Sequence, residues 1–589
     1  MTGPHDPGHG PARPAAAQDG PSARVRRFLL DAGFTADGVL ARVGSAAFAA
    51  LGRGLTVPVQ RALAGASDGG GPQRGEGEAH PGPSAAGPGG PQAAASVLDA
   101  LIRAFLLASP LPAGALPADA LADLVALGML RRDGDALVPR VEVHPYGEPD
   151  TDWYLVSDIG APAEPDHVLG LGGASLTLAR ITPRREVGRA LDVGCGAGVQ
   201  VLHAARHATR VVATDTNPRA LAMTALSAGL SGVPVEQVDL REGSLFGPVS
   251  DERFDLIVSN PPFVISPSHR FTYRDAGLPG DELSRLVVRG AAAHLAPGGI
   301  AAVLGNWLHV VGEQWTDRIA EWVAGTGADA WIVERDAQPV ADYAATWLRD
   351  AGVAEGVEFD AAMQEWLDVF ADAESTDVGF GWVVLVAPAA ARQVADGTDD
   401  PVTGVEPDAA PAAAADARAA NPDGAPEPAS AADAHAAAGS GPTTPPAREP
   451  WVLAEDLSRS ERLPRGDEVL AFLTGCQILA DLPAPALLAG GARLAEGATV
   501  TTTTHVVGGR RVDAPPMLGL AGSVGPGGWR AAVPVPPALL AALLAPADTP
   551  IGERLDAAAE AEGLDPLDVL GPALMALRDL VRIGIVRTD

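Results

Sequence analysis

Short apolar runs alternate with helix-like segments through the middle of the chain. Ala190–Val193, Arg210–Thr214, Val235–Val238, Phe254–Ser259, Ile300–Leu304 and Trp382–Val386 read as strands. Val199–Arg206, Arg219–Leu230, Leu283–His294 and Gln314–Val323 read as helices. Strand–helix alternation of this kind predicts an α/β fold, a mostly parallel sheet with helices on both faces. Ligands of such sheets sit at the carboxyl ends of the strands.

The flanks have a different pattern. Residues 1–22, 65–95 and 389–449 are rich in Ala, Pro, Gly or Asp and carry no periodic large apolar residues. Such stretches cannot bury enough surface to offset their ordering entropy and are expected to be disordered. They divide the chain into a disordered tail (1–22), an N-terminal module (23–150) with an insert at 65–95, a middle domain (151–388), an acidic linker (389–449) and a C-terminal module (450–589). The N-terminal module offers helices at Val25–Leu30, Val97–Leu107 and Ala118–Leu127, then a hairpin signal at Asp133-Gly134. The C-terminal module ends in a helix over 567–580 and a short strand over 581–586. Helices followed by a small hairpin or strand suggest winged-helix-like modules. With only Arg131 and Arg132 on the first hairpin, packing or protein docking is the simpler role than DNA binding.

Composition narrows the class. At ~100–200 residues per domain, 589 residues suggest roughly three or four units. The 47% hydrophobic content is enough for real cores. All 42 basic residues are Arg, the bias expected of a GC-rich bacterial genome. The net charge of -32 argues against tight nonspecific nucleic-acid binding, although a local basic patch is compatible with it. Two cysteines, Cys195 and Cys476, make neither a disulfide framework nor a structural zinc site. No metal site is expected. No run approaches the ~18–20 apolar residues of a membrane span, and Met1 to Gly20 has no apolar secretory core. The expectation is a cytoplasmic protein with no membrane partner.

The first strand of the middle domain runs into Asp192-Val193-Gly194-Cys195-Gly196-Ala197-Gly198. Glycines there allow a tight turn and close approach of a ligand. The spacing is GxGxG. A dinucleotide loop needs a third glycine where Val199 stands, and no Walker lysine follows. The second strand ends at Asp215, placed either to accept the hydroxyls of a ribose or to cap the helix that follows. Cys195 has no identifiable base nearby and reads as a small filler.

The fourth strand ends in Asn260-Pro261-Pro262-Phe263. Each proline removes a backbone donor and fixes φ, so the loop is stiff. Its exposed groups are acceptors, the Asn260 side-chain oxygen and the Pro261 carbonyl, and Phe263 adds a flat apolar surface. Two acceptors gripping the N–H bonds of a planar nitrogen would turn its lone pair toward a methyl donor. Positioning of that kind supplies up to ~7–11 kcal/mol.

These motifs, DVGCGAG, VVATDTNPRAL and FDLIVSNPPF in this order, resemble the class I S-adenosylmethionine-dependent methyltransferases. More narrowly, the chain resembles the small-domain amino-methyltransferases, which include release-factor glutamine methyltransferases and RNA methyltransferases. The likeness covers about residues 166–335. It implies a Rossmann-like core with a mostly parallel seven-stranded sheet and S-adenosylmethionine as cofactor. It also implies that Asp192, Val193, Gly194, Cys195, Gly196 and Gly198 line the methionine and ribose part, with Asp215 and Thr216 on the ribose. Asn260, Pro261, Pro262 and Phe263 would hold the target nitrogen, and LAPGG (295–299) matches the turn before the fifth strand. Relatives often carry Gly-Asp-Leu-Phe after the third strand. Here Gly243-Ser244-Leu245-Phe246 stands in that place, so Ser244 and Leu245, or Asp239, would meet adenine without the usual acid. His167 lies in a Gly-rich segment, 166–180, which in related enzymes covers the cofactor. Tyr273, Arg274, Asp275, Gly280 and Asp281 either line the acceptor pocket or make loop contacts. The acceptor is a protein glutamine, as in a translation factor, or a nucleobase amino group of RNA or DNA, or a small molecule. A non-catalytic cofactor-binding protein is the alternative outside enzymes.

Overall fold

The computed structural model describes residues 20–65, 91–148, 151–160, 164–267, 278–389, 448–458, 462–496, 498–502, 504–507, 510–520 and 532–588. Residues 1–19, 66–90 and 390–447, the bulk of the three low-complexity stretches, lie outside these. Helices beginning at Pro21 and Pro91 take up the ends of the first two.

The centre is one sheet of eight strands: β1 (Val187–Val193), β2 (Ala208–Asp215), β3 (Val238–Glu242), β4 (Phe254–Ser259), β5 (Leu295–Val310), β6 (Asp329–Pro339), β7 (Ser375–Val386) and β8 (Val452–Asp456). Their spatial order is 3-2-1-4-5-7-6-8. Only β7 runs antiparallel to its neighbours, β5 and β6. The inner parallel strands carry buried apolar runs at their centres, such as Val211-Val212-Ala213 and Leu256-Ile257-Val258, as a sheet covered on both faces requires. Helices Gly173–Ile181, Val199–Ala204 and Gly466–Asp481 cover one face, and Glu282–His294 and Trp315–Val323 the other.

Five expectations are corrected. The sheet has eight strands, because β8 adds in parallel to β6 from beyond residue 449. Trp331 Nε1 donates to Glu455 Oε2 across that pair at 2.8 Å. Residue 450 therefore does not open a separate module. The boundary at 150/151 falls inside a hairpin, Glu142–Glu148 with Thr151–Ser157. Val235–Gln237 is a 3₁₀ turn after Pro234, and the third strand begins at Val238. In the last element, residues 581–582 still belong to the helix Pro566–Arg582. Gly584 then turns the chain at φ 74° into Val586–Thr588.

The N-terminal helices and the hairpin Leu130–Asp133/Ala136–Pro139, with Leu111–Pro112 beside it, share one core. That core also takes in Ala220, Met223 and Leu230 from the helix Pro218–Leu230 of the central layer. Arg26 Nη1 fastens the contact by donating to the carbonyls of Asp152 and Leu230 at 2.9 Å.

β5 and β7 run well past the carboxyl edge of the parallel strands. Val303 is level with Ser259 at the end of β4, and residues 304–310 continue upward against 375–382. Helices Val340–Asp350 and Val357–Asp372 pack on this overhang, burying Leu308, Tyr343, Trp366 and Phe370. Pattern reading of the sequence found neither β6 nor these two helices.

Candidate functional site

The carboxyl edge brings the motif residues to one place. Val193 is level with both Thr214 and Ser259, and Asp215 is level with Glu242. The turn after β1 needs its glycines, since Gly194, Gly196 and Gly198 all have positive φ (77°, 53° and 89°). Gly194 and Cys195 donate their backbone N–H to the Thr214 carbonyl at 2.8 and 3.1 Å, so the loop leans on β2. Thr224 Oγ1 donates to the Gly196 carbonyl at 2.8 Å and lies 3.4 Å from Cys195 Sγ. Cys195 is buried, and burial pushes its thiol well up, which fits packing rather than nucleophilic chemistry.

Asp192 is 1% exposed, and its Oδ2 has no hydrogen-bond partner. Burial first, and the neighbouring Asp215 second, push its carboxyl up to about 8. Asp215 is also raised by burial, against the pull of its backbone donors. Its Oδ2 accepts from Gly196 N at 3.0 Å and its Oδ1 from Asn217 N at 2.9 Å. The helix that follows is capped by Asn217, whose Oδ1 accepts from Arg219 N at 2.9 Å. Asp215 is thus not that helix's cap. An orphaned buried carboxylate beside a glycine turn, with a second carboxylate at the neighbouring strand end, suits a cationic nucleoside ligand such as S-adenosylmethionine.

On the far side of the same edge, Ser259 Oγ donates to the Val193 carbonyl at 2.9 Å, tying β4 to the glycine turn. Asn260 follows. Its Oδ1 is buried without a partner, and its Nδ2 lies 3.5 Å from Ser175 Oγ, in the segment before β1. Pro261 is buried, and Pro262 and Phe263 are half-buried. Phe263 packs between the core under the sheet and the overhang.

The remaining residues divide. Thr216 and Ser244 are exposed at the edge. Leu245 adopts φ 50°, and its carbonyl accepts from Thr214 Oγ1 at 3.2 Å. Asp239 does not reach the site, because Arg210 and Arg241 engage it at 2.9 and 2.8 Å and hold its carboxyl below the usual range. Asp281 is likewise spent on structure. It accepts from Leu308 N at 3.0 Å and from Arg318 Nε and Nη2 at 2.8 Å. Gly280 turns the chain just before it at φ 54°. Tyr273, Arg274 and Asp275 lie outside the described residues. His167 is buried in a segment held near the edge by Asn217 Nδ2, which donates to the Asp166 carbonyl at 2.7 Å. Arg219 pairs with Asp158, whose Oδ2 also accepts from Val168 N at 2.9 Å. Sequence reading missed this Asp158–Arg219 latch and the role of Ser175: Arg219 and Ser175 lie in segments it singled out, but their partners are 61 and 85 residues away. Among the described residues no group of His, Cys, Asp and Glu is arranged to hold a metal ion.

The sheet order, with a glycine turn after β1, an acid after β2 and an Asn-Pro-Pro loop after β4, defines a class I S-adenosylmethionine-dependent methyltransferase core. Residues 171–308 match the family described as the methyltransferase small domain. Residues 31–140 match a domain of unknown function, DUF7059. The chain is 32% identical over 166 residues to the ribosomal protein uL3 glutamine methyltransferase of Bradyrhizobium diazoefficiens, covering 26% of this chain and 52% of that protein. It is 35% identical over 131 residues to the release factor glutamine methyltransferase of Xylella fastidiosa, covering 20% and 47%. To the ribosomal RNA small subunit methyltransferase C of Escherichia coli it is 32% identical over 172 residues, covering 28% and 46%. The chain thus spans about half the length of the curated relatives it matches. Among solved structures, a SAM-dependent methyltransferase from Thiobacillus denitrificans in complex with S-adenosyl-L-homocysteine aligns with TM-score 0.21 and 22% identity. That alignment covers 36% of this chain and 90% of that one.

Proposed function

We propose that this protein transfers the methyl group of S-adenosylmethionine to a planar nitrogen held by the Asn260–Phe263 loop, and that the nitrogen is the side-chain amide of a protein glutamine. The observation that carries this reading is the buried Asn260 Oδ1, which has no partner within the protein and stands next to the glycine turn. A buried acceptor left unpaired costs ~1–3 kcal/mol unless something supplies a donor.

In this reading Asp192 and the turn Val193–Gly198 line the methionine and ribose part of the cofactor. Asp215 and Thr216 take the ribose hydroxyls, and Ser244 and Leu245 flank adenine. Bound S-adenosylmethionine supplies a sulfonium methyl group activated toward nucleophiles. Asn260 Oδ1 and the Pro261 carbonyl accept the two N–H bonds of the target, orienting its lone pair. Phe263 presents a face to its planar group. The work is positioning and electrostatics, and the methylated nitrogen gives up its extra proton late, to solvent. The glutamine acceptor is supported by the glutamine methyltransferases among the relatives and by the net charge of -32, which repels a polyanion. A nucleobase amino group is the second reading, favoured by similarity to the ribosomal RNA enzyme.

The test is transfer of labelled methyl from S-adenosylmethionine into a lysate from a strain lacking this gene. The reaction is then split into protease-treated and nuclease-treated halves. Label lost with protease alone is the expected result. Label lost with nuclease alone would replace glutamine by a nucleobase.

A further inference from the structure

The Asn260–Phe263 loop has no N–H at Pro261 or Pro262, so it cannot be fixed through its own donors at those positions. It is fixed just downstream. Val264 and Ile265 are each 2% exposed, packed into the core of the overhang. The backbone N–H of Ile265 donates to the Tyr343 hydroxyl at 3.0 Å. Asn306 Nδ2, from the overhanging part of β5, donates to the same oxygen at 3.0 Å. Tyr343 is fully buried, and Asn306 is 1% exposed. The Tyr343 ring is held by Trp347, Trp366, Phe370 and Phe380, with centroids 5.5–6.1 Å away. One hydroxyl thus joins the end of the motif loop, the overhang of β5 and the helix Val340–Asp350.

We propose that Tyr343, supported by Asn306, is a positioning residue for methyl transfer: its hydroxyl sets where the Asn260–Phe263 loop stands relative to the glycine turn. The proposal rests on the methyltransferase reading above. The aromatic cluster supplies the stiffness and the hydroxyl the register. The upstream end of the loop is tied to β1 by Ser259, so the downstream tie decides how far the rest of the loop, Pro261 to Phe263, can drift from Asn260. A displacement of about 1 Å at a reacting group costs up to ~10²-fold in rate.

Tyr343→Phe removes the hydroxyl and keeps the ring. The full chain carrying it is compared with wild type in three measurements: binding of S-adenosylmethionine alone by calorimetry, labelled methyl transfer into the deficient lysate at saturating cofactor, and hydrogen exchange of the peptide spanning 258–267. We expect cofactor affinity within about twofold of wild type, a transfer rate at least ~10-fold lower, and faster exchange at the Ile265 amide. Asn306→Ala shifts rate and exchange in the same direction by less, and serves if Tyr343→Phe fails to fold. Unchanged exchange at Ile265 overturns the clamp. Faster exchange with an unchanged transfer rate overturns the positioning role. If wild type transfers no label, the methyltransferase reading fails, and the exchange measurement alone decides whether Tyr343 holds the loop.

Discussion

At the residue scale, Asp192 has the most consequential environment in the site. Its folded carboxyl sits at about 8, against 3.8 for a free aspartate, because burial disfavours its charge. A raised acid favours the ligand-free fold at low pH: its contribution is fully present below about 3.8 and is lost as pH rises to about 8. A cationic ligand favours the ionised form. Binding of S-adenosylmethionine therefore releases a proton below pH 8, and affinity rises between pH 6 and 8 by up to ~10-fold per unit. Calorimetry in buffers of different ionisation enthalpy reads that proton directly. Asp192→Asn is expected to abolish the release and flatten the pH dependence of affinity. This residue and Asn260 were legible in the sequence because each stands within one residue of a strand end, inside a motif whose spacing is fixed by the turn. Tyr343, Asn306 and Ser175 were not: Ser175 meets Asn260 from 85 residues away, Tyr343 meets Ile265 from 78, and Asn306 acts through Tyr343. Ser244 was legible only as the place where an acid is missing.

At the scale of elements, two devices position the site. The segment before β1 is latched by Arg219–Asp158 and by Asn217 on the Asp166 carbonyl. Arg219 is partly exposed, so its pair contributes at most ~1 kcal/mol. Arg219→Ala is expected to weaken S-adenosylmethionine binding several-fold and speed its release, with little change in the ligand-free melting temperature. Stopped-flow displacement would check this, and an unchanged off-rate would remove the latch from the account. The second device is the overhang of β5, β6 and β7. It was not legible because the outer half of β6 reads ERDAQP, and β7 opens with a Gly-bearing STDVGFG, neither of which alternates cleanly. The glycines have a steric reason. A Cβ at Gly381 would stand 1.9 Å from the Val333 carbonyl and 2.5 Å from the Trp307 ring. Gly381→Ala is expected to destabilise the fold by ~1–3 kcal/mol or more, read as a lower urea midpoint. By contrast, β4 was read to its ends and β1 and β2 at their apolar centres, three and two residues short of their starts, because the buried parts of parallel strands are apolar.

At the scale of the whole molecule, the flanks are built into the central layer. The N-terminal helices share a core with the helix Pro218–Leu230. From the other end of the chain, β8 pairs with β6, and Phe472 of the helix Gly466–Asp481 packs on Trp331 with ring centroids 4.8 Å apart. Composition gave no hint of this. The low-complexity stretch before residue 450 looks like a domain boundary, and a five-residue strand after it carries too little pattern to assign to a distant sheet. A chain ending at 389 would leave the β6 edge unpaired and the Trp331 face uncovered. That truncation is expected to melt at lower temperature than the full chain and to bind a hydrophobic dye. Equal melting temperatures would mean that β8 and its helix are dispensable to the core.

The central claim is that Asn260 holds the nitrogen that receives the methyl group. The most direct measurement pairs Asn260→Ala with wild type, following cofactor binding by calorimetry and labelled methyl transfer into the deficient lysate. Cofactor affinity within a few-fold of wild type, with transfer reduced by ~10²-fold or more, is the predicted result. Transfer by Asn260→Ala at the wild-type rate would contradict the account.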